Sequence, residues 1–307
     1  MKIYINKVKE SWIIDRVRKE WYQHNKDIST NRISSADTIW VAANWVWKNI
    51  PIKHLESKKV LNSVYHIDFS KFTKIEEKDF YKLDKYVDEY HVISKKTKIQ
   101  LEQLTDKKIT SIPFWINQNI WYSLKEKSNL RKKYGFDVND WLVGSFQRDT
   151  EGSDLTTPKL IKGPDIFFNI ISKMHKDNNN LRIVLSGTRR QYLIKKLEDA
   201  NIPFKYFEMA SLKALNDLYN ILDLYLVTSR LEGGPQAILE CAHSQTPILS
   251  TDVGVASEIL HESAIYKEHE FHLAQTNTEY AYKKSLDFVI PAGMQEFVTL
   301  FQGIYES

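Results

Sequence analysis

Short apolar runs alternate with stretches whose apolar positions recur every three or four residues along almost the whole chain. Runs at 2–6, 36–43, 59–66, 90–94 and 108–112 predict the strands of one sheet. A second set, at 141–146, 181–187, 203–208, 222–227, 247–250 and 264–267, predicts another. Strands that alternate with helical segments argue for an α/β chain of parallel sheets with crossover helices, not a sandwich or a bundle. Residues 117–140 read as a charged connection, which sets the domains at 1–120 and 121–290. After Pro291, the residues Phe297, Leu300, Phe301 and Ile304 fall at helical spacing and predict a closing helix over 291–307. There is no internal repeat or low-complexity tract.

Composition narrows the class. With 307 residues, 42% of them apolar, the chain can fill two compact cores, and disorder is not expected. Its single cysteine, Cys241, sits on the apolar side of a predicted helix, which excludes a disulfide framework and favours a reducing cytosol. The N-terminus carries mixed charge rather than an apolar signal, and the longest apolar runs are too short for a bilayer span. A cytoplasmic protein is expected, soluble or peripheral at the inner face of the membrane. Charge is uneven: residues 1–120 hold 22 Lys/Arg against 15 Asp/Glu, and residues 121–307 hold 21 against 24. A basic, Trp-bearing first domain suits contact with an anionic membrane or a polyprenyl diphosphate, and reads equally as charge that confers solubility.

The most informative stretch is 230–240, RLEGGPQAILE, which places Glu232 and Glu240 on either side of a Gly-Gly-Pro turn. It follows the apolar run 222–227, so Glu232 and Gly233 stand just past the carboxyl end of a buried strand, where open α/β sheets bind ligands. Gly233 and Gly234 allow close approach of a ligand to the backbone, and Pro235 suits the first turn of a helix that continues through Gln236 and Ala237. A helix start favours phosphate, which leaves Glu232 to accept hydrogen bonds from sugar hydroxyls and Glu240 to do the same for a ribose. In isolation the two would read as a helix cap and a solvated face. The glycines and the preceding strand favour the ligand roles.

With this spacing, the region resembles the nucleotide-sugar site of retaining glycosyltransferases of the GT-B fold, family 4-like, the glycosyl transferases group 1. The resemblance continues upstream. Trp141-Leu-Val-Gly144-Ser-Phe-Gln-Arg148, followed by Lys162-Gly163-Pro164-Asp165, is similar to the family's strand, Gly-Arg turn and Lys-Gly helix start. It implies that Arg148 and Lys162 hold the donor diphosphate. Thirteen residues separate them where the family has only a few, so Lys159 stays a candidate. Cations and N–H groups fixed where a leaving diphosphate gathers charge stabilise its departure, and no metal is then required. No metal-binding Asp-x-Asp stands at a strand end, and Asp149-Thr-Glu151 and Asp88-Glu89 read as solvated.

In the first half, the run 60–66 ends in His66, which the resemblance places beside the transferred sugar; alone, such a histidine is more often structural. The segment Ile109-Thr-Ser-Ile-Pro-Phe-Trp-Ile-Asn117 is similar to the family's strand before the domain linker. One departure is the lack of any glycine before Gly135, so no Gly-rich loop follows the first strand. Lys7, Lys9, Glu10, Ser11 and Trp12 are then the acceptor-side candidates, with Ser11 also reading as a plain helix cap.

The resemblance implies two Rossmann-like parallel-sheet domains facing a cleft, with the closing helix packed back on the first. It further implies transfer of a sugar from a UDP- or GDP-linked donor, with no cofactor and with retained configuration. Glu232, His66, Arg148 and Lys162 would act on the sugar and diphosphate. Gly144, Gly187, Thr188, Met209, Gly233, Gly234, Pro235, Gln236, Ala237 and Glu240 would line the donor, Met209 at the base. The expected acceptor is a glycan or a polyprenyl- or other lipid-linked sugar of bacterial surface polysaccharide or glycolipid synthesis. Phage-type transfer to nucleic acid is the less favoured alternative. A non-catalytic sugar-nucleotide-binding protein is the non-enzyme alternative, and a degraded donor site would be its mark.

Overall fold

The structure is a computed structural model that describes residues 1–8 and 13–307. Of the acceptor-side candidates, Lys9, Glu10, Ser11 and Trp12 lie outside the described residues. The chain divides into two units, residues 1–115 with 291–307, and residues 116–290. The first break follows Trp115 rather than residue 120.

The first unit is built on a parallel sheet of β1 (Ile3–Ile5), β2 (Thr38–Val41), β3 (Lys59–Val64), β4 (Glu89–Val92) and β5 (Ile109–Ser111), in that spatial order. Its helices are α1 (Ile13–His24), α2 (Ile52–Ser57), α3 (Lys74–Asp84), α4 (Lys95–Leu101) and, at the end of the chain, α12 (Ala292–Glu306). Strand side chains alternate between the faces. Ile39, Val41, Val60, Val64, Tyr90 and Val92 join Leu55 of α2 and Leu83 of α3 in one core cluster. Trp40 and His91 point to the other face, where Trp40 packs edge-on against Trp21 of α1, 5.7 Å between centroids, and lies 5.3 Å from Phe297 of α12. The Trp115 indole donates to the buried carboxylate of Glu20 at 2.8 Å. Glu89, expected in solvent, is 4% exposed. It opens β4 and accepts hydrogen bonds from Thr110 and, at 3.0 Å, from Lys108, which make its burial tolerable.

The second unit carries β6 (Trp141–Ser145), β7 (Leu181–Ser186), β8 (Phe204–Phe207), β9 (Leu224–Val227), β10 (Ile248–Thr251) and β11 (Ile265–Tyr266). All pair in parallel, in the order β11-β10-β9-β6-β7-β8. Its helices are α5 (Lys127–Lys133), α6 (Pro164–Asp177), α7 (Gln191–Asp199), α8 (Leu212–Ile221), α9 (Gln236–Ser244), α10 (Ala256–Ile259) and α11 (Thr278–Ser285). The direction in which strands are added reverses between β9 and β6, and at such a switch point the carboxyl ends of the strands open a ligand crevice.

The charged connection expected over 117–140 is instead part of this unit. Arg131 of α5 is only 6% exposed, and its guanidinium donates to the carbonyls of Ile221, Val138 and Asp140 at 2.9–3.2 Å while pairing with Asp223. Here the cation closes the carbonyl end of α8, a favourable place for positive charge.

Candidate functional site

The expected donor-site residues of the second unit follow four neighbouring strands along the carboxyl edge of its sheet. β9 ends before Glu232, β6 before Arg148, β7 before Gly187 and Thr188, and β8 before Met209.

The centre is stitched by side chain to backbone bonds across the switch point. Thr228, just past β9, donates to the Gly163 carbonyl at 2.8 Å, and Gln147, just past β6, donates to the Lys162 carbonyl at 2.8 Å. The Arg230 N–H reaches the Ile161 carbonyl at 2.8 Å, and its guanidinium grips Asp165 with two bonds of 2.7 and 2.8 Å. Gly163, the N-cap of α6, has φ +63°, and a Cβ there would lie 1.7 Å from the Thr228 carbonyl oxygen. Only glycine fits a left-handed turn pressed so closely on β9. Gly254, past β10, has a similar part: its Cβ would fall 2.2 Å from the Gly233 oxygen. The Thr251 hydroxyl donates to the Ser229 carbonyl at 2.6 Å, completing the support of the loop that bears Glu232.

Glu232 faces two partners. Its Oε1 receives the Lys162 ammonium, in a pair whose side chains are 11% and 19% exposed. The Ser229 hydroxyl lies 3.3 Å from the same oxygen and 3.2 Å from Oε1 of Gln147, with one proton to give. Arg148 and Lys159 are half-buried. Lys159 is held down to a pKa of about 8 by burial first, then by the charges of Arg148 and Lys162, against the attraction of Glu232 and Glu151. The three cations thus share one neighbourhood, although ten residues separate Arg148 from Lys159 in the chain.

Other expected residues fall into place differently. Asp149, expected to be solvated, is 2% exposed and pairs with the fully buried Arg190 at 3.2 Å. Burial raises its pKa to about 6, against the pull of that arginine and of backbone N–H groups. Gly144 lies inside β6, where a Cβ would meet Leu222 at 2.3 Å, so its missing side chain makes room for that neighbour. Glu240 is 7% exposed, and its Oε2 accepts from the Tyr219 hydroxyl at 2.9 Å, within a wall that includes Phe146 and Tyr225. Pro235 is the N-cap of α9, with Gln236 and Ala237 opening the helix. Gly233 is buried and Gly234 half-buried. Gly187 has φ +89° and accepts from the Tyr206 hydroxyl at 2.8 Å, followed by half-buried Thr188. Met209 is 68% exposed, in a left-handed turn after β8.

His66 belongs to the first unit, half-buried past the carboxyl end of β3, and Lys7 is exposed beyond β1. Among the described residues, no group of three or more His, Cys, Asp or Glu is arranged to hold a metal ion. Gln147, Ser229, Thr251, Gly254 and Arg190 support the site but escape the sequence reading, because each acts on a segment distant in the chain. Gly254 in Asp252-Val-Gly254, after a predicted strand, was the one visible signal.

Residues 158–290 match the family model of glycosyl transferases group 1. Comparison with curated protein sequences finds no match. Among solved structures, the chain is similar to Anabaena Alr3699/HepE in complex with UDP, with TM-score 0.76 and 12% identity over 98% of this chain and 99% of that one. It is also similar to a sucrose-phosphate synthase from Thermosynechococcus elongatus, with TM-score 0.72 and 12% identity over 95% and 77%. A glycosyltransferase from Rickettsia africae gives TM-score 0.66 and 14% identity over 99% and 98%. The chain therefore has the GT-B fold, and residues 158–290 within its second unit are similar to the glycosyl transferases group 1 family.

Proposed function

We propose that the chain transfers a sugar from a nucleoside diphosphate donor, with retained anomeric configuration, to a glycan or a polyprenyl- or other lipid-linked acceptor. The observation that carries this reading is the pairing of Glu232 with Lys162 and their nearness to Lys159, which in turn neighbours Arg148, at the switch-point edge of the second sheet. The cations suit the diphosphate, because fixed positive charge stabilises a leaving group that gathers negative charge. Glu232, on a braced loop, suits the sugar hydroxyls. Glu240 with Tyr219 suits the nucleoside, beside Gly187, Thr188 and Met209 at the neighbouring strand ends. HepE has been captured with UDP, with UDP and glucose, and with UDP-glucose, which makes uridine the base to try first and guanosine the second.

The acceptor belongs, in this reading, to bacterial surface polysaccharide or glycolipid synthesis. The enzyme would work in the cytoplasm, with its basic first domain against the anionic inner face of the membrane. No helix among the described residues is long and apolar enough to cross a membrane. No nucleic acid is expected as a partner. The test is calorimetry with UDP, GDP, UDP-glucose and uridine. Binding of a diphosphate well above the bare nucleoside supports the reading, and indifference to all four ligands rejects it.

A further inference from the structure

We infer that Lys159, rather than Lys162, supplies the second cation to the donor diphosphate, and that Lys162 serves Glu232 instead. The inference rests on the donor-site reading above and divides the three cations within it.

The first ground is how the chain between Arg148 and Lys159 folds. Thr150 bridges antiparallel to Pro158, the Glu151 N–H donates to the Thr157 carbonyl at 2.9 Å, and the Lys159 N–H donates to the Asp149 carbonyl at 2.8 Å. The insertion is therefore a hairpin with a closed neck, which sets Lys159 against the Arg148-Asp149 strand. The neck is fastened from behind: the Asp149 N–H and the Thr150 hydroxyl both donate to the Arg189 carbonyl, at 3.0 and 3.2 Å. The Tyr192 N–H donates to the Asp149 carboxylate at 3.2 Å, and buried Arg190 donates to the Gln147 carbonyl. Sequence distance is cancelled in space, and Lys159 rests on a held backbone.

The second ground is charge. Lys162 already has an anion, the carboxylate of Glu232. Among the described residues, Arg148 and Lys159 have no hydrogen bond or ion pair for their cationic groups, and they repel one another. Lys159 is attracted by Glu232 and Glu151 without a hydrogen bond to either and is repelled by Arg148, so a diphosphate gains most by meeting these two half-buried cations. The Lys162–Glu232 pair stays intact in this arrangement. Its lysine fixes the carboxylate that receives the sugar and keeps it from repelling the neighbouring phosphate.

Calorimetry on the full chain separates the roles, with UDP and uridine as probes and thermal unfolding as the folding control. Lys159→Gln is expected to weaken UDP binding about tenfold or more, with uridine unchanged, and Lys159→Arg to restore it within about threefold. Lys162→Gln is expected to leave UDP binding within about threefold of wild type and to reduce sugar transfer. At pH 8, UDP binding by wild type should take up protons, read from buffers of different ionisation enthalpy, and the Lys159→Arg variant should not. UDP binding that survives Lys159→Gln and is lost in Lys162→Gln overturns the inference while leaving the donor site standing. Wild-type indifference to UDP and GDP overturns the donor reading and this inference with it.

Discussion

The Lys162 ammonium rests against the Glu232 carboxylate, so a cation orients this acid on its loop. Glu232→Gln keeps the shape and removes the charge. It is expected to slow sugar transfer by roughly two orders of magnitude, as when a charge-assisted contact to the reacting group is lost. UDP binding should be unchanged or tighter, because an anion near the diphosphate has gone. Steady-state transfer with calorimetry on the same sample checks both parts. Near-normal turnover would reduce Glu232 to a support for its loop.

Glycines that share a left-handed backbone should differ widely in what an alanine costs. At Gly163 the added Cβ would lie 1.7 Å from the Thr228 backbone oxygen just past β9, and at Gly152 its nearest neighbour is a side-chain oxygen of Asp154 at 3.5 Å. Gly163→Ala combines backbone strain with a clash and is expected to cost about 3 kcal/mol. Gly152→Ala carries the strain alone, about 1 kcal/mol. Gly303→Ala, inside α12 with nothing within 4 Å, should stabilise by up to about 1 kcal/mol through helix propensity. Urea unfolding midpoints of the three variants provide the ranking, and equal losses at Gly163 and Gly152 would remove the close approach to β9 from the account of the site.

The strands were legible because each is an apolar run bounded by polar turns. The runs at 59–66, 141–146 and 181–187 correspond to β3, β6 and β7 within a residue or two at either end. Glu232 and Lys162 were legible because turn glycines and a Pro follow each of them in a pattern tied to strand ends. Their mutual pairing was not, since it joins loops seventy residues apart. Charge was the least legible property. Asp149, Glu89 and Arg131 look like solvent residues in the sequence and are buried, each compensated by a partner that only the fold supplies. The packing of Gly144 was not legible either, because the Leu222 side chain that its missing Cβ makes room for lies far along the chain.

Stability of the first unit should depend on pH through His91. Its Nε2 faces the Ile112 carbonyl at 2.8 Å, which only accepts, so the proton is on Nε2. Nδ1 then accepts from the Ser63 hydroxyl at 2.8 Å, whose oxygen accepts from the Trp40 indole at 2.8 Å. Burial lowers the folded pKa to about 4, partly opposed by the bond to Ile112. Between that value and the ordinary 6.5 the unfolded chain binds more protons, so this contribution to stability is complete above pH 6.5 and is lost as pH falls toward 4. Urea unfolding across this window should show a slope of up to about 1.4 kcal/mol per pH unit that His91→Gln lacks, whatever its absolute stability. An identical slope in the variant would assign the pH dependence to other groups.

Sugar transfer should persist in excess EDTA and give a product with the anomeric configuration of the donor. The physical reason is charge: Arg148, Lys159 and Lys162 stand in one neighbourhood and can offset a leaving diphosphate without a divalent ion. Position matters, because the Asp149 neck holds the backbone that bears Arg148 and Lys159, and Glu232 holds the Lys162 ammonium. Retention is expected on the family resemblance, with the leaving phosphate on the same face as the incoming acceptor, and no side chain is assigned as a nucleophile. Proton NMR of the new glycosidic bond during turnover reports the configuration, and the same assay with EDTA, then with added manganese, reports the metal requirement. Activity abolished by EDTA and restored by manganese would mean that three cations are not enough. An inverted product would require a general base positioned opposite the leaving group and would overturn the retaining reading.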